Sequence, residues 1–433
     1  MISSDDKSAV IQTFSRHVSS GKAAFFKKYG MDFVMGNRDG NWLVDKDGNK
    51  RLFNLHCNGG VFNLGHRNPQ IIATLKAALE ELDIGNHHLM SEERARLARQ
   101  LSDLMPGDLS CTVFGVSGGE AVDLALKVAR SHTRRTRIIS ARGGYHGHTG
   151  LALAAGDEKY RRPFGPMAPG FLQVPFGDAE ALNDALDDNT AAVILETIPA
   201  TLGMVIPTKE YMQEVRRLCD HWGALLILDE VQSGLGRTGK LWAFEHYDII
   251  PDIVVLGKGL SGGLYPITAT VLRQPLEQVF HDDPFIHIST FGGAEIGCRV
   301  ARKVLDITAD PDFLSEVNDM ADRTGKHLEL LITKHRPFFS GVRQLGLMMG
   351  LELQDEIAGP VLTKAAYDKD LLMVYANNDQ SVCQFLPPLT MKKEDLPFII
   401  DRLENALTQA RRLRKLYQAK TMVTSLFRKK KNT

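Results

Sequence analysis

The stretch ALLILDEVQSGLGRTGKLWAFEHYDIIPDIVVLGKGLSGGLYP, residues 224–266, decides the fold. It holds two short apolar runs, Ala224–Leu228 and Ile253–Leu256, each of strand length and neither alternating with polar residues. Such runs are covered on both faces, as in a mostly parallel sheet flanked by helices. Each run ends in ionisable groups. Asp229 and Glu230 follow the first, and Lys258, between Gly257 and Gly259, follows the second. A carboxylate or ammonium at the end of a buried strand is costly unless something pairs with it. In an open parallel sheet, ligands gather at the carboxyl ends of strands.

Working outward, the same pattern recurs. CTVFGV (111–116), RIIS (137–140) and AAVILE (191–196) read as further strands. Helical periodicity in EAVDLALKVAR (120–130) and KEYMQEVRRLCDHW (209–222) separates them. PQIIATLKAALEEL (69–82) and SEERARLARQLSDLM (91–105) are helices, the second capped by Ser91 with acids in its first turn. Residues 65–305 therefore form a large α/β domain. Asp47-Gly48, between apolar pieces, marks a hairpin in the segment 1–64. Long helices at 311–335 and 394–418, mixed with strands near 345–353 and 384–389, make residues 306–420 a smaller α+β domain that packs with segment 1–64. The basic end, residues 421–433, reads as a mobile, solvated tail.

Composition narrows the function class. Lys+Arg and Asp+Glu both number 52, so no net field draws nucleic acid or an anionic membrane. No apolar run approaches the roughly 18 residues of a membrane span, and the start, MISSDDKSAV, lacks the apolar stretch of a signal peptide. Cys57, Cys111, Cys219, Cys298 and Cys383 are odd in number and without C-x-x-C spacing, which predicts buried free thiols in the cytoplasm. His87 and His88 are adjacent and expected to diverge, so no metal site is predicted.

The strand ends carry the chemistry. Ser117-Gly118-Gly119 opens a helix and has three readings: a phosphate cradle, a plain glycine turn, or the G-x-S-x-G elbow of a serine hydrolase, with HCNGG (56–60) as its oxyanion loop. Tyr145, after two glycines, offers a ring for stacking. Gly234–Lys240 mimics a P-loop, but Leu241 stands where a magnesium-binding hydroxyl is needed. Together, a phosphate cradle, a stacking ring, a buried acid and a buried lysine are what pyridoxal phosphate requires. Lys258 would bind its aldehyde as a Schiff base, its pKa depressed by burial. Asp229 would face the pyridine nitrogen. At about 3 Å and an effective dielectric of about 20, that attraction is on the order of 5 kcal/mol, enough to keep the ring protonated. The hydrolase reading leaves both residues without work.

At these residues the chain resembles the class III aminotransferases of the ornithine, GABA and acetylornithine type. LLILDEVQSGLGRTGKLWAFEH and PDIVVLGKGLSGGLYPITA carry the resemblance, with ISTFGGAEIGCRVA, VRQLGLMMGLEL and FNLGHRNP similar to other family blocks. It implies a fold type I transferase with a seven-stranded type of sheet, and a homodimer with shared active sites. Position by position it implies Lys258 and Asp229 as catalytic. Val231 and Gln232 lie at the ring and its phenolic oxygen, Tyr145 and His146 beside the ring, and Ser117, Gly118 and Gly119 at the phosphate. Thr290 reaches the phosphate from the neighbouring subunit.

Three departures bear on substrate. His148 stands where ornithine-type members have an arginine, Gln384 where acetylornithine-like members have another, and Thr201 near a family glutamate. An arginine is the usual bidentate partner of a carboxylate. Its double loss predicts an ω-amine, or a long apolar amine, as donor to a 2-oxo acid or aldehyde, with Phe62, His148 and Gln384 as substrate contacts. Epimerase or decarboxylase chemistry on the same scaffold is the alternative.

Overall fold

The computed structural model describes residues 6–431, with side chains described as far as residue 416. The expected mobile tail, 421–433, lies outside the residues whose side chains are described. Two short helices, Lys7–His17 and Ser20–Lys28, come first and bury none of their residues. Strands β1 (Met35–Asp39), β2 (Trp42–Asp45) and β3 (Arg51–Asn54) follow. β2 and β3 pair antiparallel about the expected turn, where Gly48 takes φ +75°, a conformation that favours glycine.

The large sheet comprises β4 (Leu109–Gly115), β5 (Arg137–Ala141), β6 (Phe171–Val174), β7 (Thr190–Glu196), β8 (Leu225–Asp229), β9 (Ile253–Leu256) and β10 (Thr268–Arg273). Its order is β4-β10-β9-β8-β7-β5-β6. The five strands from β5 to β9 pair parallel, whereas β10 runs antiparallel between β9 and β4. Every residue of β7 and β9 is buried, as continuous apolar runs require. Helix Lys209–Trp222 shows how one cover element is specified. Thr208 caps its amino end, Gly223 ends it at φ +61°, and Tyr211, Met212, Val215, Leu218 and Cys219 form its buried stripe. Each fully buried aliphatic side chain contributes roughly 1.5–3 kcal/mol.

The remaining strands are β11 (Phe339–Leu345), β12 (Met348–Leu353), β13 (Leu371–Leu372), β14 (Val374–Tyr375) and β15 (Val382–Phe385). β11-β12-β15-β14 make one antiparallel sheet, while β13 joins β3 in parallel and completes the sheet begun by β1–β3. Phe53 and Leu55 accordingly share a core with Phe338, Phe339, Phe385 and the helix residues Leu403 and Leu407.

Two expectations need correction. Cys111 is only half-buried, because it lies on β4 at the edge of the sheet; the other four cysteines are buried. His87 and His88 do not diverge. Asn86 Oδ1 accepts from the His88 N–H, and this turn brings the two rings to 4.2 Å between centroids, with His88 packing on Phe285.

Candidate active site

The register of the sheet assembles the site. Asp229, last residue of β8, pairs with Val255 of β9, so Lys258 leaves β9 at the same edge. On the other side Asp229 is in register with Glu196, last residue of β7. At this edge lies a cavity of about 400 Å³ lined by Lys258, Asp229, Glu196, Tyr145 and His148, among others. Ser117, Gly118, Gly119, His146, Val231 and Gln232 line it as well.

Each polar group is held. Lys258 adopts φ +42° and donates from Nζ to Gln232 Oε1 at 2.6 Å. Asp229 accepts from the Val231 N–H at 3.1 Å and contacts His146 Nδ1 through its other oxygen at 2.9 Å. Glu196 accepts from the Tyr145 N–H at 2.8 Å. Ser117 is the N-cap of helix Gly118–Thr133, its hydroxyl accepting from the Glu120 N–H while Glu120 accepts from the Val116 N–H. Tyr145, His148 and Tyr160 form a triangle of rings with centroids 5.2–5.7 Å apart.

Electrostatics follow from burial. Desolvation lowers the Lys258 pKa, opposed by the charges of Asp229 and Glu196. Glu196 is pushed up to about 7, first by burial and then by the neighbouring Asp229 charge, with His146 opposing. Burial alone would lower the His146 imidazole, but its bond to Asp229 and the two nearby carboxylates outweigh that and raise it. Burial also raises the Tyr145 phenol.

These residues suit pyridoxal phosphate. Gln232 Nε2 and His146 Nε2 are buried without a partner, donors or acceptors awaiting one. A Cβ on Gly119 would stand 2.8 Å from Thr149 Oγ1, so glycine is what lets this helix start pack against Thr149, and its first N–H groups are of the kind that receive a phosphate.

Phe62, Gln384 and Thr290 are not brought to the cavity lining. Phe62 stacks on His66 at 4.0 Å. Gln384 is buried and donates to the Ala200 carbonyl at 3.4 Å. Thr290 is exposed. Glu196 was missed, although AAVILE offers the same signal that singled out Asp229: an acid ending a continuous apolar strand. The hydrolase reading fails on geometry, since the Ser117 hydroxyl is engaged as a helix cap and no hydrogen bond to a histidine activates it among the described residues.

Comparison with known proteins agrees with this geometry. A family model described as aminotransferase class III matches residues 26–407. An uncharacterised aminotransferase of Archaeoglobus fulgidus is 55% identical over 415 residues, spanning 95% of this chain and 97% of that protein. Among solved structures, the ornithine aminotransferase of Toxoplasma gondii, crystallised with partial occupancy of PLP, superposes with TM-score 0.87 at 25% identity, covering 96% and 97% of the two chains. A Bacillus anthracis aminotransferase gives TM-score 0.86 at 26% identity over 93% and 98%.

Proposed function

The chain belongs to the class III aminotransferase family, whose members use pyridoxal phosphate, and on that premise we propose that it transfers an amino group from an ω-amine, or a long apolar amine, to a 2-oxo acid or aldehyde. One observation carries the substrate reading. Among the described residues lining the cavity, Lys258 is the one lysine or arginine. Arg343, on β11, is engaged by Glu352 at 2.9 Å and the Gly203 carbonyl at 2.7 Å. Among the described residues no guanidinium lines this cavity to meet a substrate carboxylate, while the Tyr145 and His148 rings that do line it suit an apolar chain.

In this reading Lys258 and Asp229 hold the cofactor at its aldehyde and ring nitrogen. Gln232 meets its phenolic oxygen, Val231 and Tyr145 enclose the ring, His146 backs Asp229, and Ser117, Gly118 and Gly119 receive the phosphate. Bound there, pyridoxal phosphate supplies an electron sink for the substrate carbon. The Lys258 amine, its pKa lowered by burial, takes a proton from that carbon and returns it as general base and acid. The Val231 N–H and His146 hold the Asp229 carboxyl in place at the end of its strand. Thr290 would act from a neighbouring subunit. Met90, Phe285, Ile286 and Phe291 are each more than half exposed around that region, which supports a homodimer. The neutral charge balance and unpaired cysteines support a cytoplasmic location.

A panel of amines tested with pyruvate and 2-oxoglutarate, with amino nitrogen followed directly, checks the proposal. Simple ω-amines should outpace ornithine and acetylornithine; the reverse order refutes it. Carbon dioxide release or stereochemical exchange without nitrogen transfer would point instead to decarboxylase or epimerase chemistry.

A further inference from the structure

Arg237 is fully buried. It has no acid partner among the described residues, for its guanidinium donates to three neutral oxygens: the Leu347 carbonyl at 3.1 Å, the Pro387 carbonyl at 2.6 Å and Asn63 Oδ1 at 2.5 Å. Burial pushes its pKa down to about 10. An unpaired buried cation is expensive and persists where its geometry is needed. Its three acceptors come from separate parts of the chain. Leu347 lies in the turn from β11 to β12, Pro387 follows β15, and Asn63 belongs to the loop after β3.

That loop reaches Lys258. A Cβ on Gly59 would stand 3.4 Å from Lys258 Nζ, and one on Gly259 would stand 3.1 Å from Asn63 Nδ2 and 3.2 Å from the Gly60 carbonyl. Lys258 itself sits at φ +42°, in the left-handed region, with β9 on one side and Gly259 on the other. A non-glycine residue there is strained and persists only when its surroundings enforce it. Asn63 thus packs beside Gly259 and at the same time accepts from Arg237. The Leu389 N–H, donating to the Asn63 carbonyl at 2.8 Å, adds a second tie from the same part of the chain as Pro387.

We propose that Arg237 is a positioning residue. Through Asn63 it couples the carboxyl-terminal sheet to Lys258, holding that lysine in its left-handed conformation and the Gly59–Gly60 turn against its amine, which limits the water that reaches it. Arg237 does not line the cavity itself. Loosening the clamp lets Gly259 and the Gly59–Gly60 turn move away, water reaches Lys258 Nζ, and the amine loses part of the desolvation that lowers its pKa.

The test uses the full-length chain freshly freed of cofactor. Lys258 is labelled with a trace of amine-reactive reagent across a pH series, and the labelled peptide is counted by mass spectrometry. Arg237→Met should move the labelling midpoint up by about one pH unit, equivalent to about a tenfold fall in neutral amine at fixed pH. Asn63→Ala, a smaller lesion that breaks the same link, should move it the same way and serves if Arg237→Met does not fold. Leu403→Ala, a core truncation remote from the clamp, controls for general loosening. An unmoved midpoint in either folded clamp variant overturns the proposal, as does an equal shift in Leu403→Ala.

Discussion

Glu196→Gln is the most informative perturbation, because it removes one buried ionisable carboxyl and keeps its shape. Glu196 and Asp229 end neighbouring parallel strands in register, and both are buried. Burial first, and then the neighbouring Asp229 charge, raise the Glu196 pKa from 4.5 to about 7. A carboxyl whose folded pKa is raised contributes stability that is fully present below its unfolded pKa and is lost as pH climbs through the folded value. Between pH 5.5 and pH 8.5 that loss amounts to about 2 kcal/mol. Glutamine keeps the acceptor for the Tyr145 N–H but cannot ionise. The variant-minus-wild-type stability difference should therefore grow by about 2 kcal/mol across that interval, with the variant favoured at high pH. Denaturant unfolding of cofactor-free protein at several pH values measures this difference. Infrared titration of the protonated carboxyl band, absent in the variant, reports the midpoint directly. A midpoint below pH 5, or a stability difference that does not change with pH, would refute the reasoning.

Three other outcomes are expected. Lys258→Ala should lose amino transfer by about 10⁴-fold or more and abolish the yellow colour that hydroxylamine bleaches in the wild-type enzyme, followed by absorbance and nitrogen transfer. Ser117→Ala should cost about 1 kcal/mol in thermal or denaturant unfolding through its lost helix cap; complete loss of an esterase activity in that variant would revive the hydrolase reading. Phe285→Asp combined with Ile286→Asp should convert a dimer to a monomer in light scattering, and an unchanged mass would remove that surface from the interface.

The sequence carried most of the site because buried parallel strands announce themselves. Their apolar runs are unbroken, so a charge at the end of one stands out, as Asp229 and Lys258 did. Glu196 obeys the same rule, ending the apolar run AAVIL as Asp229 ends ALLIL. The antiparallel β10, TATVLR, escaped because its threonines break the apolar run that marked its neighbours. Their hydroxyls are satisfied inside the fold: Thr270 donates to the Ala121 carbonyl, a partner 149 residues away.

Local pattern was enough to establish the α/β class, the helix caps and the lysine, since period, cap and strand end are set by neighbours in the chain. Tertiary structure alone decided which charged groups share a cavity, that Gln384 and Phe62 stand apart from its lining, and that Arg237 is held by oxygens from three distant segments. Those outcomes depend on desolvation and hydrogen bonds between residues far apart in sequence, and such terms exist only once the sheet register has brought the segments together.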